Sequence, residues 1–250
     1  MALLGAARTR GAETLRADEL HRIGHRIWQN ECAGTIDGLT SWNTGENFAS
    51  LGIGHFIWYP AGGEGPFEES FPRLLAWYKA EGVPLPSWLT SAKVCPWPNR
   101  SAFLKDHDSE RQRELRKLLS STVSEQTRFI IHRLRQAIPK YREAAGPHGV
   151  QVEEKIAALS QTGAGNFAMI DYINFKGDGL NPSERYQGEG WGLLQVLLAM
   201  KNTRDPQEAP GAFAVAAKRV LTRRVELSPP ARHESKWLEG WKNRCDAYRQ

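Results

Sequence analysis

The chain has 250 residues, of which 40% are hydrophobic and 24% charged, a balance that excludes a disordered polypeptide. Its net charge of +5 favours an anionic partner, and charge alone does not choose among nucleic acid, acidic cell-wall polysaccharide and a membrane surface. No apolar run is long enough to cross a membrane, so we expect no membrane span.

The first residues and the cysteines bear on the cellular compartment. We predict an N-terminal tail over residues 1–17, in which Arg8 and Arg10 interrupt the apolar start, so the continuous apolar stretch of a secretory signal is missing. The protein is then cytoplasmic, or it belongs to the cell envelope or periplasm if a signal lies outside this sequence. Three cysteines are too few for a disulfide framework, although one bridge, between Cys32 and Cys95, is left open.

Residues 18–250 are predicted to form one domain that opens with a helix and a small sheet. Apolar residues at helical spacing predict a helix over residues 18–31, which Glu31 closes. The Gly- and Thr-rich segment that follows, around the turn at Gly52–Gly54, predicts a two- or three-stranded antiparallel sheet.

Helical patterns dominate the remainder of the chain. A further helix is predicted to begin at Pro66 and to end at Gly82. Residues 18–80 are predicted to form a first lobe. Residues 81–100 contain four prolines and are predicted to form an irregular loop. Residues 101–250 are predicted to be a helical lobe. Its helices are expected at about 101–119, 123–144, 166–175, 207–224 and 231–247, with two more around Ile156 and Leu194. The predicted fold class is α+β, mostly α, with a small antiparallel sheet near the N-terminus and a helical C-terminal lobe.

Glu31 is the leading candidate for catalysis. Polysaccharide hydrolysis needs a protonated carboxylic acid beside the glycosidic oxygen and a second carboxylate that activates water or stabilises the positive transition state. Glu31 fits the first role because it lies where the first helix meets the sheet, and the alternative is an ordinary helix-terminal glutamate. Glu46 and Asp37 are the candidates for the second role. Ser50 and His55 flank the glycine turn and could position water or substrate, and His55 could instead brace the sheet.

The order of these residues resembles the phage-type lysozymes. Their catalytic glutamate ends the first helix and precedes a Thr-Ile-Gly-x-Gly-His stretch, to which Ser50-Leu51-Gly52-Ile53-Gly54-His55 is similar. The resemblance implies a lysozyme-like two-lobed fold, with Glu31 as general acid and Ser50, in place of the threonine, as a partner of the attacking water. Glu46 is an approximate match for the aspartate of that family.

A second segment is similar to soluble lytic transglycosylases. Asn181-Pro182, followed by Gly188-Glu189-Gly190-Trp191-Gly192-Leu193-Leu194-Gln195-Val196, resembles the Asn-Pro and Gly-Leu-Met-Gln motif of that family. Gly177, with Asp178 next to it, holds the place of the family's glutamate. Alternatively, residues 167–179 match helices in the C-terminal lobe of the phage-type family. Both interpretations lead to the lysozyme superfamily.

Aromatic and polar side chains in these segments are the predicted substrate contacts. Aromatic residues in Gly- and Pro-rich loops often mark surfaces that stack sugar rings, although most large aromatic side chains are buried in cores. The predicted contacts are Asp37, Trp42, His55, Trp58, Asp171, Asn174, Asp178, Glu189 and Gln195. The segment from Asp171 to Gln195 is expected to form the wall that faces Glu31.

Two further patterns indicate rival sites. His21 and His25 have the spacing that lets two imidazoles on a helix share a metal, but a solvent-facing pair is favoured because no third ligand is near in sequence. Gly163-Ala164-Gly165 has the composition of a phosphate cradle, and a loop between helices is favoured over that function. We therefore expect neither a metal nor a cofactor.

The leading hypothesis is an enzyme that cleaves a β-1,4-linked amino-sugar polymer, with peptidoglycan ahead of chitosan or chitin. A basic protein suits an anionic cell wall. One alternative is a protein of the same fold that binds the polysaccharide without cleaving it. The other is a basic nucleic-acid-binding protein, which is less favoured because the arginines and lysines of the middle segment are most simply a solvated helix face.

Overall fold

The computed structural model describes residues 15–65 and 67–250, which divide into two compact units. We call Ala17–Lys140 with Ile170–Gly177 the N-terminal unit, and Tyr141–Met169 with Asp178–Gln250 the C-terminal unit. Helices dominate the described chain, and a three-stranded antiparallel sheet lies near its N-terminus. The predicted class, α+β and mostly α, is confirmed. No helix in the described ranges is both long enough and apolar enough to cross a membrane.

The helices follow one another closely along the chain. In order they are α1 Ala17–Cys32, α2 Phe71–Ala80, α3 Ser87–Ser91, α4 Arg100–Lys105, α5 Glu110–Ser121, α6 Val123–Ala144, α7 Gly149–Ser160, α8 Gly163–Lys176, α9 Leu193–Ala199, α10 Ala209–Leu227 and α11 Leu238–Asp246. The strands are β1 Thr40–Ser41, β2 Ala49–Leu51, β3 Phe56–Trp58, β4 Arg185–Tyr186 and β5 Glu189–Gly190.

Helix α1 carries the first candidate acid to the sheet region. Ile23 and Ile27 are buried on one face, as the spacing predicts, and acidic residues in the first turn suit the positive end of the helix dipole. Ala33 and Gly34 then adopt positive φ angles of 53° and 66°, a conformation that ends a helix. Glu31 therefore lies in the last turn of α1, one residue before its end.

The sheet of the N-terminal unit is a short antiparallel meander. Strand β2 is central, with Ser50 opposite Ser41 of β1 on one side and Ile57 of β3 on the other. Gly52–His55 form the turn between β2 and β3. The prediction of a small antiparallel sheet around this turn is confirmed.

One helix prediction and one loop prediction in the N-terminal unit need correction. Residues 101–119 were expected to form one helix, but α4 and α5 are separate because Asn99 caps α4 and Ser109 caps α5 with side-chain oxygens that accept backbone N–H groups. The loop over residues 81–100 contains the short helix α3. The predicted helix start at Pro66 lies outside the described residues, and α2 begins at Phe71.

The C-terminal unit contains a hairpin that the sequence analysis did not predict. Strands β4 and β5 pair antiparallel, and the two residues between them, Gln187 and Gly188, both have positive φ angles of 49° and 84°. Two-residue hairpin turns require this conformation, and glycine adopts it readily. The expected loop at Gly163–Gly165 is also wrong, because these residues form the first turn of α8 after Thr162.

Candidate active site

Glu31 and His55 meet where α1 reaches the turn between β2 and β3. The distance from Glu31 Oε2 to His55 Nδ1 is 3.8 Å, and the two side chains are 13% and 35% exposed. Glu31 is thus largely sheltered and still reachable from solvent. The structure brings together the two residues on which the resemblance to phage-type lysozymes depends most.

The turn that carries His55 is held by hydrogen bonds to Gln126 of α6 and to the backbone of Leu39. The backbone N–H of Ile53 donates to Gln126 Oε1 at 2.9 Å, and the Gly52 N–H donates to the carbonyl of Leu39 at 2.8 Å. Gln126 is fully buried, and its amide nitrogen donates to the carbonyl of Leu119 at 2.7 Å. A buried side chain satisfied at both ends makes the turn a rigid support for His55.

Cys32 lies on the other side of the His55 ring. Its Sγ is 3.8 Å from His55 Nε2 and 3.7 Å from the carbonyl oxygen of Gly52. Cysteine, histidine and glutamate therefore follow one another in the order of a nucleophile, its base and an orienting carboxylate. Burial, and then the charge of Glu31, raise the pKa of Cys32 to about 12, which keeps the thiol protonated and makes it a poor nucleophile.

None of the three cysteines, all of which lie in the described ranges, forms a disulfide bond. Cys32, Cys95 and Cys245 are all buried as thiols. The bridge between Cys32 and Cys95 that the sequence left open is therefore absent from this structure. Burial, and more weakly the charge of Glu69, also raise the pKa of Cys95 to about 12 against the hydrogen bond from the Trp97 backbone that lowers it.

A hydrogen bond connects the last turn of α1 to α8. Asn30 Nδ2 donates to Asp171 Oδ1 at 2.9 Å, and Asp171 is fully buried. Asn174, one turn further along α8, has a buried Nδ2 without a hydrogen-bond partner among the described residues. Two predicted substrate contacts, Asp171 and Asn174, thus belong to the same unit as Glu31, and complete burial gives Asp171 a structural role in this conformation.

The two candidates for the second carboxylate have different surroundings. Glu46 lies in the loop between β1 and β2, where its carbonyl accepts the indole N–H of Trp42 at 2.8 Å. Its Oε2 is buried and has no hydrogen-bond partner in residues 15–65 and 67–250. Asp37 is 74% exposed, and its Oδ1 lies 3.6 Å from Arg116 Nε and 3.8 Å from His107 Nε2. Asp37 therefore lies close to the Arg116 guanidinium and the His107 ring, whereas Glu46 has a carboxylate oxygen without a hydrogen-bond partner in the described chain.

The two tryptophans and the serine among the predicted site residues are buried. Trp42 packs on Phe103 with ring centroids 5.8 Å apart, and Trp58 packs on Phe71 at 4.8 Å. Ser50 is 4% exposed in the central strand. The indoles hold the sheet against the helices in this structure, and they have little exposed ring surface for a sugar.

The predicted residues of the second segment have local partners inside the C-terminal unit. Asp178 Oδ1 accepts the N–H of Leu180 at 2.9 Å. Gln195 Oε1 accepts the N–H of Gly192 at 3.0 Å, which caps the start of α9. Glu189 forms an ion pair with Arg223. A hairpin and a helix cap therefore account for much of the motif that resembles transglycosylases.

The histidine pair on α1 faces solvent. His21 and His25 are both exposed, with ring centroids 6.3 Å apart. No group of three or more histidine, cysteine, aspartate or glutamate side chains in the described ranges is arranged to hold a metal ion.

Comparisons with protein-family models, with curated proteins and with solved structures give no match to this chain. The resemblance to the lysozyme superfamily therefore depends on the residues themselves, chiefly Glu31 and Gly52–His55.

Sequence reasoning missed three residues that support the site. Asn30 and Cys32 are adjacent to Glu31 in the sequence, and this adjacency was the signal that could have identified them as site residues. Gln126 gave no signal, since a glutamine in a charged helix is ordinarily solvent-exposed. Only the packing of α6 beneath the turn shows its contact with Ile53.

Proposed function

We propose that this protein is a lysozyme-like glycosidase that cleaves a β-1,4-linked amino-sugar polymer, with peptidoglycan as the favoured substrate. The observation that carries the proposal is the sheltered Glu31 carboxylate, 3.8 Å from His55 Nδ1 at the junction of helix and sheet. A two-lobed lysozyme-like fold is part of the proposal, and the small sheet beside a helix that ends in the acid supports it. The net charge of +5 suits an anionic wall polymer.

In this mechanism Glu31 donates a proton to the glycosidic oxygen as the bond to the anomeric carbon breaks. The leaving sugar departs as an alcohol, and water or an internal hydroxyl of the sugar then completes the reaction at the anomeric carbon. His55 lies close enough to hold the Glu31 carboxylate in one orientation.

Glu46 is the better candidate for the second carboxylate. Its buried Oε2 has no hydrogen-bond partner in the described chain, whereas Asp37 is occupied by Arg116 and His107. A buried carboxylate oxygen without a partner is costly, and a catalytic role is one explanation for such an atom. Glu46 would act on the attacking water or on the positive charge of the transition state.

Replacement of the acid tests the proposal. We expect Glu31→Gln to lower the rate of release of soluble fragments from purified peptidoglycan by at least about a hundredfold, the usual contribution of a general acid. Glu143→Gln is the matched control, because Glu143 is an exposed helical glutamate of the C-terminal unit. Mass spectrometry of the products separates a hydrolase, which leaves reducing ends, from a transglycosylase, which leaves anhydro ends.

Two results would contradict this assignment. Equal activity of Glu31→Gln and the wild type would remove Glu31 as the acid. Binding of peptidoglycan without any cleavage by the wild type would favour a binding protein of the same fold. Affinity for nucleic acid that falls steeply with salt would instead support the nucleic-acid alternative.

A further inference from the structure

A cleft in the C-terminal unit has the size and chemistry of a ligand site. It has a volume of about 920 Å³ and lies among the β4–β5 hairpin, α9 and α10. Ligand sites in proteins commonly measure from about 300 to 1,000 Å³. All of its lining residues belong to this unit, and Glu189 and Gln195 among them are also predicted substrate contacts, but the ligand inferred below does not depend on catalysis by Glu31.

Guanidinium groups dominate the polar lining. The lining contains three arginines, Arg185, Arg219 and Arg223, and two carboxylates, those of Glu189 and Glu226, so one positive charge is in excess. Arg223 is already engaged, because its Nε and Nη2 reach Glu189 at 3.2 and 2.8 Å and its Nη1 reaches Glu226 at 3.2 Å. The hydrogen bond from Arg223 also lowers the pKa of Glu189, which keeps this carboxylate charged and able to accept from the Arg223 guanidinium.

The other two arginines are available to a ligand. Arg185 donates a long hydrogen bond of 3.4 Å to the carbonyl of Gly188, at the tip of its own hairpin. Within the described ranges no carboxylate pairs with Arg185 or with Arg219. A guanidinium presents a planar fork that matches the oxygens of a carboxylate or a phosphate.

The remaining lining restricts the ligand further. Leu198 and Val220 provide apolar surface, and Leu198 is 39% exposed. None of the residues that line the cleft is aromatic, so it offers no ring on which a nucleobase or the face of a sugar could stack. The apolar side chains of Leu198 and Val220 beside the arginines suit a ligand with an aliphatic part in addition to its charged group.

We propose that this cleft binds a small organic anion, a carboxylate or phosphate carried on an aliphatic chain, with Arg219 and Arg185 as the anion-binding residues. A carboxylate and a phosphate can both accept hydrogen bonds from these guanidinium groups. Succinate is therefore the probe for a carboxylate ligand, glycerol 3-phosphate is the probe for a phosphate ligand, and N-acetylglucosamine is the neutral sugar probe.

Isothermal titration of the full chain with each probe tests the proposal. We expect saturable binding of succinate or glycerol 3-phosphate at low salt, and none of N-acetylglucosamine. Arg219→Gln should weaken that binding at least tenfold. Arg204→Gln, which removes an exposed arginine of the same unit outside the cleft, should leave the binding constant unchanged.

A second variant, which is expected to bind the anion more tightly, gives a stronger test of the proposal. Glu189→Gln removes one of the two carboxylates that pair with Arg223 and raises the net positive charge of the cleft by one, so binding of an anion should tighten severalfold. A misfolded variant would not bind more tightly, so loss of structure cannot imitate this result. The proposal is overturned if neither anion binds the wild type, if Arg219→Gln binds as tightly as the wild type, or if Glu189→Gln weakens binding.

Discussion

Gly52 holds a backbone conformation and a contact that other residue types do not accommodate. Its φ is +70°, and a Cβ atom placed on it would lie 2.3 Å from Gln126 Oε1 and 3.2 Å from the ring of Phe56. Gln126 is the residue that fixes the turn before His55. The glycine of the Gly-x-Gly-His pattern therefore serves the docking of the turn on α6.

We expect Gly52→Ala to lower the free energy of unfolding by about 2–4 kcal/mol, because it combines an unfavourable φ with a clash against a buried side chain. Gly45→Ala is the matched control, since Gly45 has a φ of +87° but nothing within 4 Å of an added Cβ. The control should cost only about 1 kcal/mol. Urea unfolding followed by tryptophan fluorescence measures both, and equal losses would show that the contact with Gln126 is unimportant.

At the scale of elements, the position of α1 depends on a partner far away in sequence. Asn30, in the last turn of α1, donates to Asp171 of α8 across 141 residues of chain. Asp171 is fully buried, so its carboxyl depends on hydrogen bonds inside the protein. The turn of α1 that presents Glu31 is thereby attached to α8.

Asn30→Ala should lower the free energy of unfolding by about 1–3 kcal/mol, the usual cost of removing a donor from a buried polar group. Gln29→Ala changes the preceding, exposed residue of the same helix and should have an effect below about 0.5 kcal/mol. Chemical denaturation of the two variants makes the comparison. If they lose the same free energy, the hydrogen bond to Asp171 contributes little to the attachment of α1.

At the scale of the whole molecule, one buried ionic cluster ties stability to pH. The Glu234 side chain is 5% exposed and accepts hydrogen bonds from Arg224 at 2.8 and 2.9 Å and from the Tyr186 hydroxyl at 2.8 Å. The Arg224 guanidinium also lies over the ring of Trp191, 4.2 Å from its centroid. Burial by itself would raise the pKa of Glu234, but the hydrogen bonds from Arg224 and Tyr186 lower it to about 2.

The direction of the pH effect follows from this lowered pKa. The ordinary pKa of the Glu234 carboxyl is 4.5, so its contribution to the free energy of unfolding is complete above pH 4.5 and is lost as the pH falls towards 2. The shift corresponds to at most about 3 kcal/mol of stability at neutral pH. We expect Glu234→Gln to be less stable than the wild type at pH 7 and to approach it by pH 2 in calorimetric scans. A destabilisation of the variant that is independent of pH would contradict the linkage.

Sequence reasoning predicted the local parts of this structure well. Helix α6 has the bounds that its apolar stripe predicts, and α1 begins and ends within one residue of the prediction, because helical periodicity and helix-ending residues act over a few positions. The β4–β5 hairpin was missed, since Gln187-Gly188 is a weak turn signal and the flanking strands have only two residues each.

By itself, the sequence determined the mostly helical class, the early antiparallel sheet and the position of Glu31 near the end of the first helix. Tertiary structure decided which side chains meet there. His55 meets Glu31 from a turn that Gln126 supports, and Asp171 bonds Asn30, the neighbour of Glu31, across 141 residues. Packing also buried Trp42 and Trp58, which sequence alone left available to a sugar. Local propensity acts between neighbours in the chain, whereas burial depends on which distant elements cover a side chain.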